Sequence, residues 1–190
     1  LNIGYLRIEK LRKMNKKYYI KYWLFNNKKN LVTKKFQSVF DIKYENNTNL
    51  LIFDVDDTLG EHNGIISEKS MNYLYDLKRK GYKIALISNG NLKRAEYLRK
   101  KLGKINPIII TKSDKPNPFS FYEIFRLTES ENANVIVVGD RIATDLFGAY
   151  LAGIQNRYLV SPYSDIFGGK KPSIVYRFIR ALENFTAKGK

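Results

Sequence analysis

Residues 50 to 60 read Leu-Leu-Ile-Phe-Asp-Val-Asp-Asp-Thr-Leu-Gly (LLIFDVDDTLG). An apolar run of strand length passes directly into Asp54, Asp56 and Asp57. A strand apolar at consecutive positions is buried on both faces, as in a parallel sheet covered by helices. In open α/β sheets, ligands bind outside the carboxyl ends of the strands. Asp54 and Asp56 are two apart, so strand geometry puts both side chains on one face, and the loop that begins here can aim them into one site. Two carboxylates this close repel unless a cation neutralises them. Bound Mg²⁺ does so, and it also screens an approaching anionic phosphate.

The same pattern repeats downstream. Lys83–Ile87, Ile108–Thr111, Val135–Gly139 and Tyr158–Val160 are short apolar runs bounded by polar residues or glycine. Helical stretches separate them: Glu68–Lys80, with Ser67 as N-cap and Gly81 as stop; Asn91–Leu102 before Gly103; Phe119–Thr128; and Ala143–Ala152 before Gly153. This alternation predicts an α/β fold, a doubly wound (Rossmann-like) parallel sheet with helices on both faces. Ser173–Phe185 has apolar residues at helical spacing (Ile174, Val175, Phe178, Ile179, Leu182, Phe185), which predicts a packing helix, with a membrane or partner face as the alternative.

Each later strand is followed by its own polar cluster. Ser88-Asn89-Gly90 offers a hydroxyl and backbone N–H groups near a helix N-terminus, a place to hold phosphate oxygens. Lys115 offers a point charge to a phosphate and to a nucleophile. Gly139-Asp140-Arg141-Ile142-Ala143-Thr144-Asp145 brings Asp140 and Asp145 to the same edge. Less specific candidates are His62, in the loop after the first cluster and within reach of a leaving group, and Arg94 and Arg141, which suit an anionic substrate or plain surface charge.

Asp54-Val55-Asp56-Asp57-Thr58, Ser88, Lys115 and Gly139-Asp140 with Asp145, in that order and spacing, resemble the four motifs of the haloacid dehalogenase (HAD) phosphatase superfamily. The resemblance implies that Asp54 attacks phosphorus to form an aspartyl-phosphate and that Asp56 protonates the leaving oxygen and then activates water. It implies that Ser88, Asn89 and Lys115 hold the phosphoryl group. It further implies that Mg²⁺ is bound by Asp54, Asp140 and the Asp56 backbone carbonyl, with Asp145 supporting the site through the water shell or Lys115. Phe36–Tyr44 (FQSVFDIKY), Lys115-Pro116, residues 139–154 (GDRIATDLFGAYLAGI) and Ser161-Pro162 resemble one branch, the YqeG-like phosphatases of subfamily IIIA, a group that includes phosphatidylglycerophosphate phosphatases. That branch implies a role in phospholipid metabolism. Asp57 departs from it, since Asn is more usual there.

Between Thr58 and Ser88 lie 29 residues, and between Ser88 and Lys115 lie 26, too few in either gap for a cap domain. A capless site stays open and suits a bulky phosphorylated substrate: a lipid headgroup, a nucleic acid end or a phosphoprotein. Small metabolites gain more from a closure that excludes water.

Composition bounds the rest. The 190 residues contain no cysteine and one histidine, which excludes disulfides, thiolate sites and multi-histidine metal sites. Metal chemistry must rest on carboxylates, which favour a hard cation. The net charge is +16, and residues 1–48, with 12 Lys/Arg against three acids, carry +9 of it. Such a chain attracts anions. The division expected is a basic extension over 1–48 and a phosphatase domain over 49–190. Within the extension, Lys16–Phe25 (KKYYIKYWLF) suits a solvated segment, an anionic membrane surface or nucleic acid. No apolar run has spanning length and none forms a signal-peptide core, so the expected setting is cytoplasmic, peripheral at a membrane, or an organellar matrix in a eukaryote. The functional alternatives are a polynucleotide or nucleotide phosphatase and a non-catalytic RNA-binding module on the same scaffold.

Overall fold

A computed structural model describes residues 31–44, 47–130 and 134–187. The segment Lys16–Phe25 lies outside these residues. The strands are β1 (Lys34–Phe36), β2 (Leu50–Asp54), β3 (Lys83–Ile87), β4 (Ile108–Ile110), β5 (Val135–Gly139) and β6 (Asn156–Val160). The helices are α1 (Glu68–Arg79), α2 (Leu92–Lys101), α3 (Phe119–Thr128), α4 (Phe147–Leu151), α5 (Tyr163–Ile166) and α6 (Ile174–Ala187). All six strands pair in parallel, in the order β1-β6-β5-β2-β3-β4.

The apolar run at residues 50–54 becomes β2, inside the sheet between β5 and β3. All five residues of β2 are buried. Their alternation feeds two cores. Leu51, Phe53 and Val55 pack with Leu74 and Leu77 of α1 and Leu98 of α2. Leu50 and Ile52 pack with Phe121 and Ile124 of α3 and Ala149 of α4. One face of the sheet is thus covered by α1 and α2, the other by α3 and α4. Ser67 caps α1 by accepting the Ser70 N–H at 3.0 Å, and Asn91 caps α2 by accepting the Arg94 N–H at 3.2 Å.

Strand order reverses between β2 and β5. From β2 the chain winds outward through β3 and β4, then returns to β5 on the other side. The flanking connections leave in opposite directions there, which opens a crevice at the carboxyl ends. Asp54 ends β2 and Asp140 follows β5, so both stand at that crevice.

Three expectations are corrected. Lys34–Phe36, placed in the basic extension by the division at 48/49, is an edge strand of the same sheet, with Lys34 opposite Tyr158 and Phe36 opposite Val160. Val39 and Ile42, just after it, lie in the core under α1. The helix expected at Ala143–Ala152 begins instead as a π-helical turn over Ile142–Leu146, which precedes α4. Finally, α6 packs by its polar side. Ile174, Val175 and Phe178 are 79%, 64% and 63% exposed, whereas Arg180 and Glu183 are 6% and 2% exposed. The cause is electrostatic: both buried groups meet opposite charges from distant strand ends.

Candidate active site

The strand ends converge on a cleft of about 250 Å³ lined by Asp54, Asp56, Asn89, Lys115, Asp140 and Asp145, with His62 and Tyr176 at the same wall. Lys115 is its hub. Its Nζ lies 2.5 Å from Asp54 Oδ1 and 2.6 Å from Asp145 Oδ1, and it also donates to the Ile87 carbonyl at 3.3 Å. Burial works to lower the pKa of the Lys115 ammonium, but Asp145 and Asp54 outweigh it, so the net shift is upward and the group stays charged. Thr58 Oγ1 is 3.1 Å from Asp54 Oδ2 and 3.4 Å from Asp140 Oδ1, so one hydroxyl spans the ends of β2 and β5.

Asp56 faces a different set of partners. Its Oδ2 accepts from Ser88 Oγ at 3.0 Å, and its Oδ1 accepts from Arg94 Nη2 at 2.7 Å and from the Asn63 N–H at 3.2 Å. Ser88 is buried beneath the cleft, where its Oγ also accepts the Gly90 N–H at 3.0 Å. Asn89 Oδ1 accepts from Ser113 Oγ at 2.8 Å and from the Lys115 N–H at 2.9 Å, so Asn89 clamps the loop that carries the lysine.

Asp145 reaches the hub because of the π turn and of Gly139. The turn points Asp145 back at the strand end, where its Oδ2 accepts the Arg141 N–H at 3.0 Å. A Cβ on Gly139 would lie 2.6 Å from Asp145 Cβ, so only glycine leaves room for this carboxylate.

Oxygens of Asp54, Asp140 and Asp145 all lie within 4.8 Å of one another, an all-oxygen donor set suited to a hard cation. The Asp56 side chain stands outside this trio, held instead by Ser88 and Arg94. The charge balance fits a divalent ion. Asp54, Asp56, Asp57, Asp140 and Asp145 are paired with Lys115, Arg94 and Arg180, leaving about two negative charges over. Arg141 is committed to Glu183. Burial, reinforced by Asp145 and Asp56 and opposed by Lys115, pushes the Asp54 carboxyl up to about 7. Burial also raises Asp140, with Arg180 opposing. A bound divalent cation would relieve both.

The structure therefore gathers Asp54, Asp56, Asn89, Lys115, Asp140 and Asp145 around one cleft, with Ser88 directly behind Asp56. Sequence reasoning leaves out Tyr176, Arg180 and Glu183 of α6. Their spacing of four and three residues traces a polar stripe opposite the apolar one, which is the one signal that could have found them.

Comparison with known proteins places the chain in a family. A family model described as haloacid dehalogenase-like hydrolase matches residues 59–153, half of the chain. A Bacillus subtilis (strain 168) protein named "Probable phosphatase YqeG" is 29% identical over 143 residues, covering 73% of this chain and 76% of that one. The crystal structure of an uncharacterized Listeria monocytogenes serotype 4b protein superposes with a TM-score of 0.50 at 15% identity, covering 62% of this chain and 94% of that one. A Thermococcus onnurineus HAD phosphatase matches with a TM-score of 0.44 at 21% identity, over 56% of this chain and 60% of that one. The chain belongs to the haloacid dehalogenase-like hydrolase family and is a phosphatase of that family.

Proposed function

We propose that the chain is a capless, Mg²⁺-dependent phosphomonoesterase that works through an aspartyl-phosphate on Asp54. The observation that carries this is the contact of Asp54 with Lys115 at the switch point, beside an independently held Asp56. In the first half-reaction an Asp54 oxygen attacks phosphorus. The ester P–O bond breaks, and Asp56, carrying the proton it took from water in the preceding turnover, gives that proton to the leaving oxygen. In the second, water gives its proton to Asp56 and attacks the same phosphorus, releasing phosphate and restoring Asp54. Lys115 offsets the charge of the phosphoryl oxygens and of Asp54, and Ser88 orients Asp56. Asp54 and Asp140, with the Asp56 carbonyl and with Asp145 in support, would hold Mg²⁺, which would supply charge neutralisation and Lewis acidity.

Residues 59–114 fold only as a loop, α1, β3, α2 and β4, with no cap among them, so the cleft stays open to a bulky leaving group. A lipid phosphomonoester such as phosphatidylglycerophosphate suits that openness, the YqeG-like motifs and the +16 charge, which favours peripheral contact with an anionic membrane. Among the described residues no helix is long and apolar enough to cross a membrane. The same charge favours a second substrate class, a terminal phosphate on a nucleotide or nucleic acid.

The test is hydrolysis by purified protein of phosphatidylglycerophosphate in vesicles, of end-phosphorylated oligonucleotides and of soluble phosphomonoesters, with Mg²⁺ or EDTA. Asp54→Asn should fold normally and lose turnover on every substrate. Retained turnover in that variant overturns the mechanism. Equal rates on soluble esters with indifference to vesicles overturns the lipid assignment.

A further inference from the structure

Arg180 lies on α6, far in sequence from every motif, yet it touches two of them. Its Nη2 is 3.1 Å from Asp57 Oδ2 and in ion contact with Asp140 Oδ2. Asp57 is fully buried, sits at φ +65° and also accepts the Ser164 N–H at 3.3 Å. Arg180 gives the Asp57 carboxylate its partner, and its single Nη2 touches carboxylates from two neighbouring strand ends at once. Asp140 is therefore divided: Oδ2 is tied to Arg180, while Oδ1 faces Thr58, which in turn contacts Asp54.

We propose that Arg180 is a positioning residue for the hydrolytic reaction, holding Asp140 by one oxygen so that the other stays aligned with Asp54 for the cation. On this assignment α6 is part of the catalytic unit rather than a peripheral packing helix. Glu183 strengthens the attachment. It takes Arg141 Nε at 3.0 Å and the Ala143 N–H at 3.3 Å, which ties α6 to the turn that carries Asp145. The assignment rests on the Mg²⁺-phosphatase reading above.

The test uses the full chain, stripped of metal, with Mg²⁺ binding measured by calorimetry and turnover of a soluble phosphomonoester measured alongside. By charge alone, losing a cation beside Asp140 tightens divalent binding. Losing a group that orients a ligand weakens it, typically 10- to 100-fold in metal affinity or activity. Arg180→Met should raise the Mg²⁺ dissociation constant about tenfold and lower kcat about 10- to 100-fold, with KM nearly unchanged. Arg180→Lys should recover folding stability but only part of the Mg²⁺ affinity.

Asp57→Asn combined with Arg180→Met separates positioning from simple charge balance. Asn tolerates the left-handed backbone and keeps an acceptor for the Ser164 N–H. This double variant should melt above Arg180→Met, because only Asp140 is then left without its cation, yet remain impaired in Mg²⁺ binding and kcat, and it decides the matter if Arg180→Met alone does not fold. Restoration of both, or unchanged or tighter Mg²⁺ binding in folded Arg180→Met, overturns the proposal. A wild-type protein that neither binds Mg²⁺ nor releases phosphate sinks the functional reading itself, and this inference with it.

Discussion

Lys115→Met probes the centre most directly. Lys115 is 2% exposed, and its ammonium contacts Asp54 at 2.5 Å and Asp145 at 2.6 Å. Methionine fills nearly the same volume, so packing changes little and charge changes fully. Removing one partner of a buried ion pair costs about 3–5 kcal/mol, because the other charge is left buried and uncompensated. Here two carboxylates lose the same cation, which places the cost near the upper end, about 5 kcal/mol. For a chain of this size each kcal/mol is worth about 2–4 °C in Tm, so metal-free protein should melt about 10–20 °C lower. Mg²⁺ should close part of that gap, since a divalent ion neutralises the same carboxylates. Adding Asp145→Asn to Lys115→Met should also restore stability. Turnover should fall by about 10²–10³-fold, the usual cost of losing one preorganised donor to a developing charge. Thermal melts in EDTA and in Mg²⁺, with single-turnover assays on a soluble ester, measure all of this. A Tm within about 3 °C of wild type in EDTA would refute the claim that Lys115 is the charge hub.

Two further outcomes follow from the same geometry. Asp54 titrates at about 7 in the folded protein against 3.8 ordinarily, so the folded state holds this proton more tightly than the unfolded state. Its stabilising contribution is complete below about pH 4 and disappears as pH rises through about 7, a loss of about 4 kcal/mol at 1.36 kcal/mol per unit. Metal-free melts across that window should show the decline, and Asp54→Asn should flatten it. Gly139→Ala should push Asp145 off Lys115, because the new Cβ would meet Asp145 Cβ at 2.6 Å. Kinetics should show at least about a tenfold loss in kcat and melting a loss of about 1–3 kcal/mol.

The sheet and most of the site were legible because their signals are local. A continuous apolar run ending in carboxylate is written in eleven consecutive residues, and the strand ends that share its edge follow from the alternation of strands and helices. What was not legible depends on partners far away in sequence. Lys-Lys-Phe at 34–36 carries no strand pattern and becomes a strand only by pairing with β6, more than 120 residues later. The π turn after Asp140 reads as ordinary helix, since its purpose is to seat Asp145 under Gly139. Arg94 reads as surface charge on α2, yet it reaches Asp56 across 38 residues. Periodicity located α6 but could not choose its buried side. That choice is made by Asp57, Asp140 and Arg141.

The inverted packing of α6 bears on how an open site holds its charges. A centre with five carboxylates and three cations repels itself when exposed to water on one side and to low dielectric on the other. A cap could seal it, but none stands between the motifs. Instead α6 lays its polar stripe along the wall, bringing one cation to Asp57 and Asp140 and one carboxylate to Arg141. Tyr176 of the same helix meets the His62 ring at a tilt, 5.3 Å between centroids, and lies under the Arg141 guanidinium at 4.2 Å, which ties α6 to the wall of the cleft. The residual charge of about minus two is then what one divalent cation neutralises. With the polar stripe committed inward, Ile174, Val175 and Phe178 are left at the surface. Their exposure follows from completing the site, because the stripe that balances the carboxylates cannot also be the one that faces water.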